Sequence, residues 1–362
     1  MNKKHFKILF LLLVLILINP VAQTFSEERQ SIEKKIENIE KLLNEMEKKQ
    51  RAQDVINNLQ QTEDEKKQKE EDILDAAGSD YIFAAPGIIK FSYNLTYTGD
   101  TYDQISQTTN NFGKTATRVR HVNTHNISNS ISAKIPIVKN IAISASIPFK
   151  FKYTSSQEEN KKGYGMGDPR FTIQYQPFKS GGKLPTTILN AGISMPLGSS
   201  PYEIDDKDKL ATGNGYYSLS VGANLSKTID PVIAYGGIYY NNNLDAKGFK
   251  YNLNKVEKDK GIYLYKVNPG SQISANIGMG YSLSYIVSVS TGLQYSYTLK
   301  SAYYWTGRGK SLSSSSYDAS LLLGSSWKIS HKRAINTSLS IGLFSNDPDI
   351  SLSISIPFDI KF

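Results

Sequence analysis

The chain has 362 residues, a formal net charge of +9 and no cysteine, which removes disulfides, thiolate chemistry, cysteine-zinc sites and a lipoprotein anchor together. A mean hydropathy of −0.37, with nothing after the N-terminus near the ~20 apolar residues of a spanning helix, excludes a helical membrane bundle. It leaves open a β-barrel, whose strands give only alternate residues to lipid.

The charge is unevenly placed: residues 87–362 carry 29 Lys and Arg against 17 Asp and Glu, whereas residues 1–86 carry 13 against 16. A basic domain raises nucleic-acid binding as a reading. Here the cations are spread over loops and one strand face without a recognition motif, so no nucleic-acid partner is expected.

Residues 1–26 read as a signal peptide. Lys3, Lys4 and Lys7 form its basic start, Ile8 to Ile18 its apolar run, and Thr24-Phe25-Ser26 a small-residue cleavage region. The run is about eleven residues, short of the ~20 that an inner-membrane anchor needs. Over residues 27–61 the period becomes helical: Ile32, Ile36, Ile39, Leu43 and Met46 alternate steps of four and three. This is a coiled-coil seam, and isoleucine at both core positions favours a homotrimer. A shifted seam through Ala52, Ile56 and Leu59 then reads as a stutter. The alternative is a lone amphipathic helix, solvated or laid on a partner's surface.

Residues 62–86 hold a second helix, charged from Glu63 to Asp72, with Ile73 and Leu74 as apolar anchors and Gly78 as its stop. It runs directly into the first strand. Such a helix can sit as a plug in a barrel mouth or serve as a linker.

Residues 87–362 alternate throughout. The last strand states the rule, with Ile350, Leu352, Ile354, Ile356, Phe358, Ile360 and Phe362 on one face and Ser351, Ser353, Ser355, Asp359 and Lys361 on the other. Nearly every strand repeats this and little sequence remains to cover the apolar faces, so lipid is the expected cover. Strands are expected from Ile89, from Ile127 and from Ile141, then near 167–177, 186–197, 216–227, 232–241, 271–283, 286–299, 316–328, 334–344 and 349–362. That makes a twelve-stranded antiparallel transmembrane barrel, all-β with an N-terminal coiled coil. Short connections alternate with long polar ones, as a barrel with both termini in the periplasm requires. Tyrosines near strand ends, with Trp305 and Trp327, read as interfacial girdles. The terminal Phe362 on an amphipathic strand resembles the signal read by the barrel-assembly machinery.

With the apolar face on lipid, Lys90, Lys134, Lys150, Lys152 and Arg170 line the lumen, and Arg118 and Arg120 are further candidates. Such a lumen favours anions if open; alternatively its cations pair with Glu70, Glu71, Asp72 and Asp75. The apolar-Pro-apolar units at Pro136, Pro148, Pro196 and Pro357 mark local bulges or a wall that opens sideways. Gly163-Tyr164-Gly165-Met166-Gly167-Asp168 is phosphate-loop-like, but a strand follows it, which argues against a nucleotide. His121 and His125, near Asp100 and Asp103, are the only rim histidines for a hydrolase, and no enzyme activity, metal or cofactor is expected.

Two resemblances follow. Gly165-Met166-Gly167-Asp168-Pro169-Arg170-Phe171, Asp230-Pro231-Val232-Ile233-Ala234-Tyr235-Gly236-Gly237 and Asn268-Pro269-Gly270-Ser271-Gln272-Ile273-Ser274 resemble motifs of a group of outer-membrane transporters that includes barrels of aromatic meta-pathway catabolism. The whole layout of signal, coil, helix and barrel resembles the outer-membrane channel of the functional-amyloid (Fap) secretion system. That second resemblance implies a trimer seam at Ile32 to Met46, a plug at Glu63 to Ala77 and an exported polypeptide. The first implies uptake of small apolar or aromatic solutes. A third reading is a structural envelope tether.

Overall fold

The structure, a computed structural model, describes residues 41, 45, 48–49, 68–84, 86–109, 115–156, 159–178, 184–204, 209–249, 263–330, 333–344 and 348–361, without the side chains of 79, 104–109 and 115–119. Of residues 1–67, Lys41, Glu45, Lys48 and Lys49 are helical. The signal peptide, all five seam residues from Ile32 to Met46, Glu63 to Lys67 and Phe362 lie outside the described residues.

From residue 68 onward the chain forms a second unit. It opens with a helix over 68–77, followed by β1 (Ile88–Thr109), β2 (Thr115–Val138), β3 (Ile141–Ser156), β4 (Asn160–Met166), β5 (Arg170–Phe178), β6 (Thr186–Ser194), β7 (Ser218–Ile229) and β8 (Val232–Asn243). Next come β9 (Ala246–Lys247), β10 (Leu264–Asn268), β11 (Gln272–Ser282), β12 (Val287–Thr298), β13 (Ala302–Trp305), β14 (Gly309–Leu312), β15 (Ser316–Ser330), β16 (Arg333–Gly342) and β17 (Ile350–Lys361). The main sheet runs β2-β1-β17-β16-β15-β12-β11-β8-β7-β6-β5-β3-β4, and pairing of β2 with β3 closes it. Because β4 and β5 both lie against β3, they are two halves of one wall strand. The ring is therefore a closed antiparallel barrel of twelve strands. It has no open edge within the wall, the condition for backbone to cross hydrocarbon.

Register shows why period two specifies this wall. Across the β1–β17 closure Ile89 meets Ile360, Phe91 meets Phe358 and Leu95 meets Ile354, while Ser92 meets Pro357 and Asn94 meets Ser355. The Phe91 and Phe358 rings stack at 5.4 Å. Burial is inverted relative to a water-soluble protein: Ile277 is 70% and Ile131 61% exposed, whereas Asn224 and Ser326 are 1% and 2% exposed. Only an apolar solvent outside the wall makes that arrangement favourable. An outward row of Tyr97, His125 and Tyr153 stacks at 6.1 and 6.3 Å between rings, and the Tyr97 hydroxyl meets His125 Nδ1 at 2.9 Å. His125 thus belongs to an aromatic girdle.

Several expectations need correction at the long-loop end. The stretches expected as loops over 99–123 and 154–165 are largely strand, because β1, β2 and β3 extend beyond the apolar belt and β4 follows them. Above the lipid both faces are wet, so the alternation that reveals a strand disappears. Trp305 is not a girdle residue. It packs with Tyr202, Tyr216, Phe249 and Tyr303 on the small buried core of Ala246, Leu264 and Val267, within a separate sheet ordered β14-β13-β10-β9. Beside that core the Lys266 ammonium and the Asn268 amide hold the Asp245 carboxyl below its usual range. Of the proline units, Pro136 marks a register shift before Val138, while Pro148 and Pro357 keep their pairing.

Candidate functional site

The turn end of the barrel receives the chain's own preceding segment. The helix over 68–77 enters the lumen, Gly78 (φ +131°) ends it by donating to Leu74 O at 2.9 Å, and residues 79–84 cross back toward β1. An L side chain rarely adopts that φ, so glycine at 78 is required for the reversal. Ile73 and Leu74 are buried with Tyr81, Ile82, Ile233 and Tyr235 in one cluster. The Tyr81 and Tyr235 rings lie 4.9 Å apart.

Polar contacts fix the segment along its length. Glu70 accepts from the Thr228 hydroxyl at 2.9 Å, Lys90 pairs with Glu71 at 3.6 Å, and Lys328 with Asp72 at 2.9 Å. Deeper in, the Ser290 hydroxyl donates to Ala76 O at 2.7 Å, Asn224 Nδ2 to Asp80 O at 2.9 Å and Lys134 Nζ to Ile82 O at 2.8 Å. The Tyr81 hydroxyl donates to Asn276. Backbone carbonyls left without partners in a protein interior cost free energy, and here wall side chains satisfy three of them.

Room for the segment comes from glycines in the wall. A Cβ added at Gly280 would overlap the Ile73 side chain, and one at Gly324 would overlap the Ala76 carbonyl. Gly278 and Gly292, opposite each other in β11 and β12, make way for the Tyr235 ring, and Gly237 for the Asn224 side chain. The available signal was glycine at inward positions of neighbouring strands, which weakens a strand unless another group approaches closely.

The inward cations are distributed as follows. Lys90, Lys134 and Arg170 line a cavity of about 320 Å³ together with Glu71, Asp75 and Asp80. Arg170 also borders a second cavity of about 420 Å³ on the far side of the segment, beside Tyr81, Tyr239 and Asn276. Lys150 and Lys152 sit further along β3 toward the long loops, with the Lys150 stem against Gly167. Arg120 is half-buried in the β1–β2 hairpin, and the side chain of Arg118 lies outside the described residues.

The glycine-rich run is a strand break with a structural task. Between β4 and β5, Asp168 accepts from Gly198 N at 3.1 Å and Asn214 N at 2.6 Å. Thr212, also buried, donates to Met166 O at 2.8 Å. The long connection after β6 is thereby pinned to the wall. Charged-group hydrogen bonds contribute about 1.5–3 kcal/mol each, so Asp168→Ala is expected to free this connection. Trypsin should then cut the folded protein after Lys209 tens of times faster, and an unchanged cleavage rate would contradict the pinning role.

His121 pairs with Asp103 on the exposed outer hairpin. Among the described residues no group of three or more His, Asp or Glu is placed to hold a metal ion.

No protein-family model matches the chain. Among solved structures, an outer membrane channel from Pseudomonas putida F1 aligns with 78% of this chain and 98% of its own, at 13% identity and a TM-score of 0.55. The translocator domain of the autotransporter NalP from Neisseria meningitidis aligns with 80% of this chain and 93% of its own, at 11% identity and a TM-score of 0.47. The toluene transporter TodX from P. putida gives 9% identity, 77% and 91% coverage, and a TM-score of 0.37. The first likeness shows the barrel fold; the other two carry no further argument.

Proposed function

We propose that the chain is an outer-membrane channel, closed by its own residues 68–84 and opened to export a periplasmic polypeptide, with an amyloid-forming subunit as the cargo that the whole-chain resemblance implies. The observation that carries this reading is the helix seated on Gly280 and Gly324 inside the barrel. A linker would not need a seat. The lumen around it is faced with Ser, Thr, Asn, Gln and charged side chains, which suits a hydrated peptide backbone better than an apolar solute. The turn end, from which the segment enters, is the periplasmic side in this reading. The coil through Ile32, Ile36, Ile39, Leu43 and Met46 then stands in the periplasm and joins three barrels. Phe362 addresses the barrel-assembly machinery, outer-membrane lipid surrounds the wall, and the protein is not an enzyme.

The test exploits the absence of native cysteine. In Ile73→Cys/Gly280→Cys the new side chains lie within bridging reach, so oxidation should lock the segment in place. Single channels in a planar bilayer should be silent when oxidised and gate when reduced. Equal conduction in both states would make the barrel a constitutive small-solute pore, and silence of every form, Ile73→Ser/Leu74→Ser included, would make it a structural tether. Cargo is addressed in cells: deletion should remove one secreted polypeptide from the surface while uptake of small apolar or aromatic solutes continues.

A further inference from the structure

The inward charge of the barrel is one-sided. Lys90 and Lys134 are register partners on β1 and β2, Lys134 meets Ser144 on β3, and Arg170 meets Ser146. Lys150 and Lys152 continue up the same face of β3. From Ser144 to Lys152 the strand rises ~27 Å at ~3.4 Å per residue, most of the ~30 Å hydrocarbon layer. The inward positions of β6, β7, β8, β11 and β12 hold no charged residue. The wall's own acids near this ladder are Asp359, across from Lys90, and Asp168, engaged by backbone N–H groups at the loop end.

The lower rungs already hold an anionic peptide. Glu71 pairs with Lys90, and Asp75 and Asp80 face the cavity shared with Lys134 and Arg170. Lys150 and Lys152 lie beyond that cavity. Arg170 borders both cavities, and its register partner Ser146 lies between Ser144 and Lys150 on β3.

We propose that this ladder is a translocation track for acidic, extended polypeptide, and that the acidic face of residues 71–80 is its resident stand-in. The proposal rests on the closed-channel reading above and adds the chemical class of the cargo. Several weak cationic sites in sequence favour entry of carboxylates without trapping them, the condition for conduction. A basic segment would meet like charge at each rung.

The test uses the full chain carrying Ile73→Ser/Leu74→Ser, which unseats the plug without touching the ladder. Poly-L-glutamate should block single-channel current in long events that shorten as salt rises from about 0.1 to 1 M, through screening. Poly-L-lysine of the same length should not block. Lys150→Gln/Lys152→Gln/Arg170→Gln in that background should shorten the glutamate dwell about tenfold by removing three rungs, whereas Lys310→Gln, in the outer hairpin, should leave it unchanged. Equal block by both polymers, or no response to the triple substitution, overturns the track while leaving the closing role of residues 68–84 intact. Failure of a correctly inserted double-serine channel to conduct overturns both. On the unaltered chain, poly-L-glutamate should displace the plug and speed chymotryptic cleavage after Tyr81; no acceleration overturns the track independently of any variant.

Discussion

Ile73→Ser/Leu74→Ser is expected to leave the barrel intact and hold the channel open. Both residues are more than nine-tenths buried, against Ile233, Tyr235 and Tyr81. Each contributes roughly 1.5–3 kcal/mol when removed from water, so their joint loss weakens the closed state by roughly 3–6 kcal/mol. Every 1.4 kcal/mol is a factor of ten, which makes the expected rise in the open-to-closed ratio about a hundredfold to ten-thousandfold. Neither residue belongs to a strand of the wall, so far-UV circular dichroism and the heat-dependent gel shift of the folded barrel should not change. Single-channel recording decides the matter. An open probability equal to that of the unaltered chain would mean that the segment does not obstruct the lumen.

Gly324→Ala should open the channel from the wall side, and it should do so more strongly than Gly280→Ala. At Gly324 an added Cβ meets the Ala76 carbonyl, part of the helix backbone and already held by the Ser290 hydroxyl. At Gly280 it meets the γ2 methyl of Ile73, a side-chain group, with the Ile73 carbonyl farther off at 3.5 Å. Overpacking against an unyielding neighbour costs about 1–3 kcal/mol, which corresponds to roughly a tenfold to hundredfold gain in open probability for Gly324→Ala. Gly280→Ala should open the channel in the same direction but by a smaller factor. The reverse order, read from the same recordings, would show that the helix is seated differently.

The wall was legible because lipid and lumen impose opposite demands on successive residues. From Ile350 to Lys361 no information beyond the alternation is needed to tell the faces apart, and the same rule placed Lys90, Lys134 and Arg170 inward. Where one solvent wets both faces, as in the outer parts of β1 to β4, the rule has nothing to act on. The glycine seat was hidden for a different reason. Gly278, Gly280, Gly292 and Gly324 each look like a weak point in their own strand, and they acquire meaning only when β11, β12 and β15 are set side by side in register. Lys134 shows the same limit: its direction follows from parity, but its acceptor is the Ile82 carbonyl, a group that every residue possesses. At Gly236 and Gly237 the alternation has no side chain to act on; in the structure Tyr235 and Tyr239 point inward around Gly237, and Ile238 is exposed on the other side.

The helix is joined to β1 by the few residues after Gly78. This leash of roughly ten residues can reach at most about 35 Å when fully extended, enough for the helix to leave the lumen but not to diffuse away. Its effective concentration at the lumen mouth is then in the millimolar range expected of a short flexible connection. In the gating proposed above, reclosure is a first-order event, independent of how many copies the membrane contains, and modest intrinsic affinity suffices to keep the resting state shut.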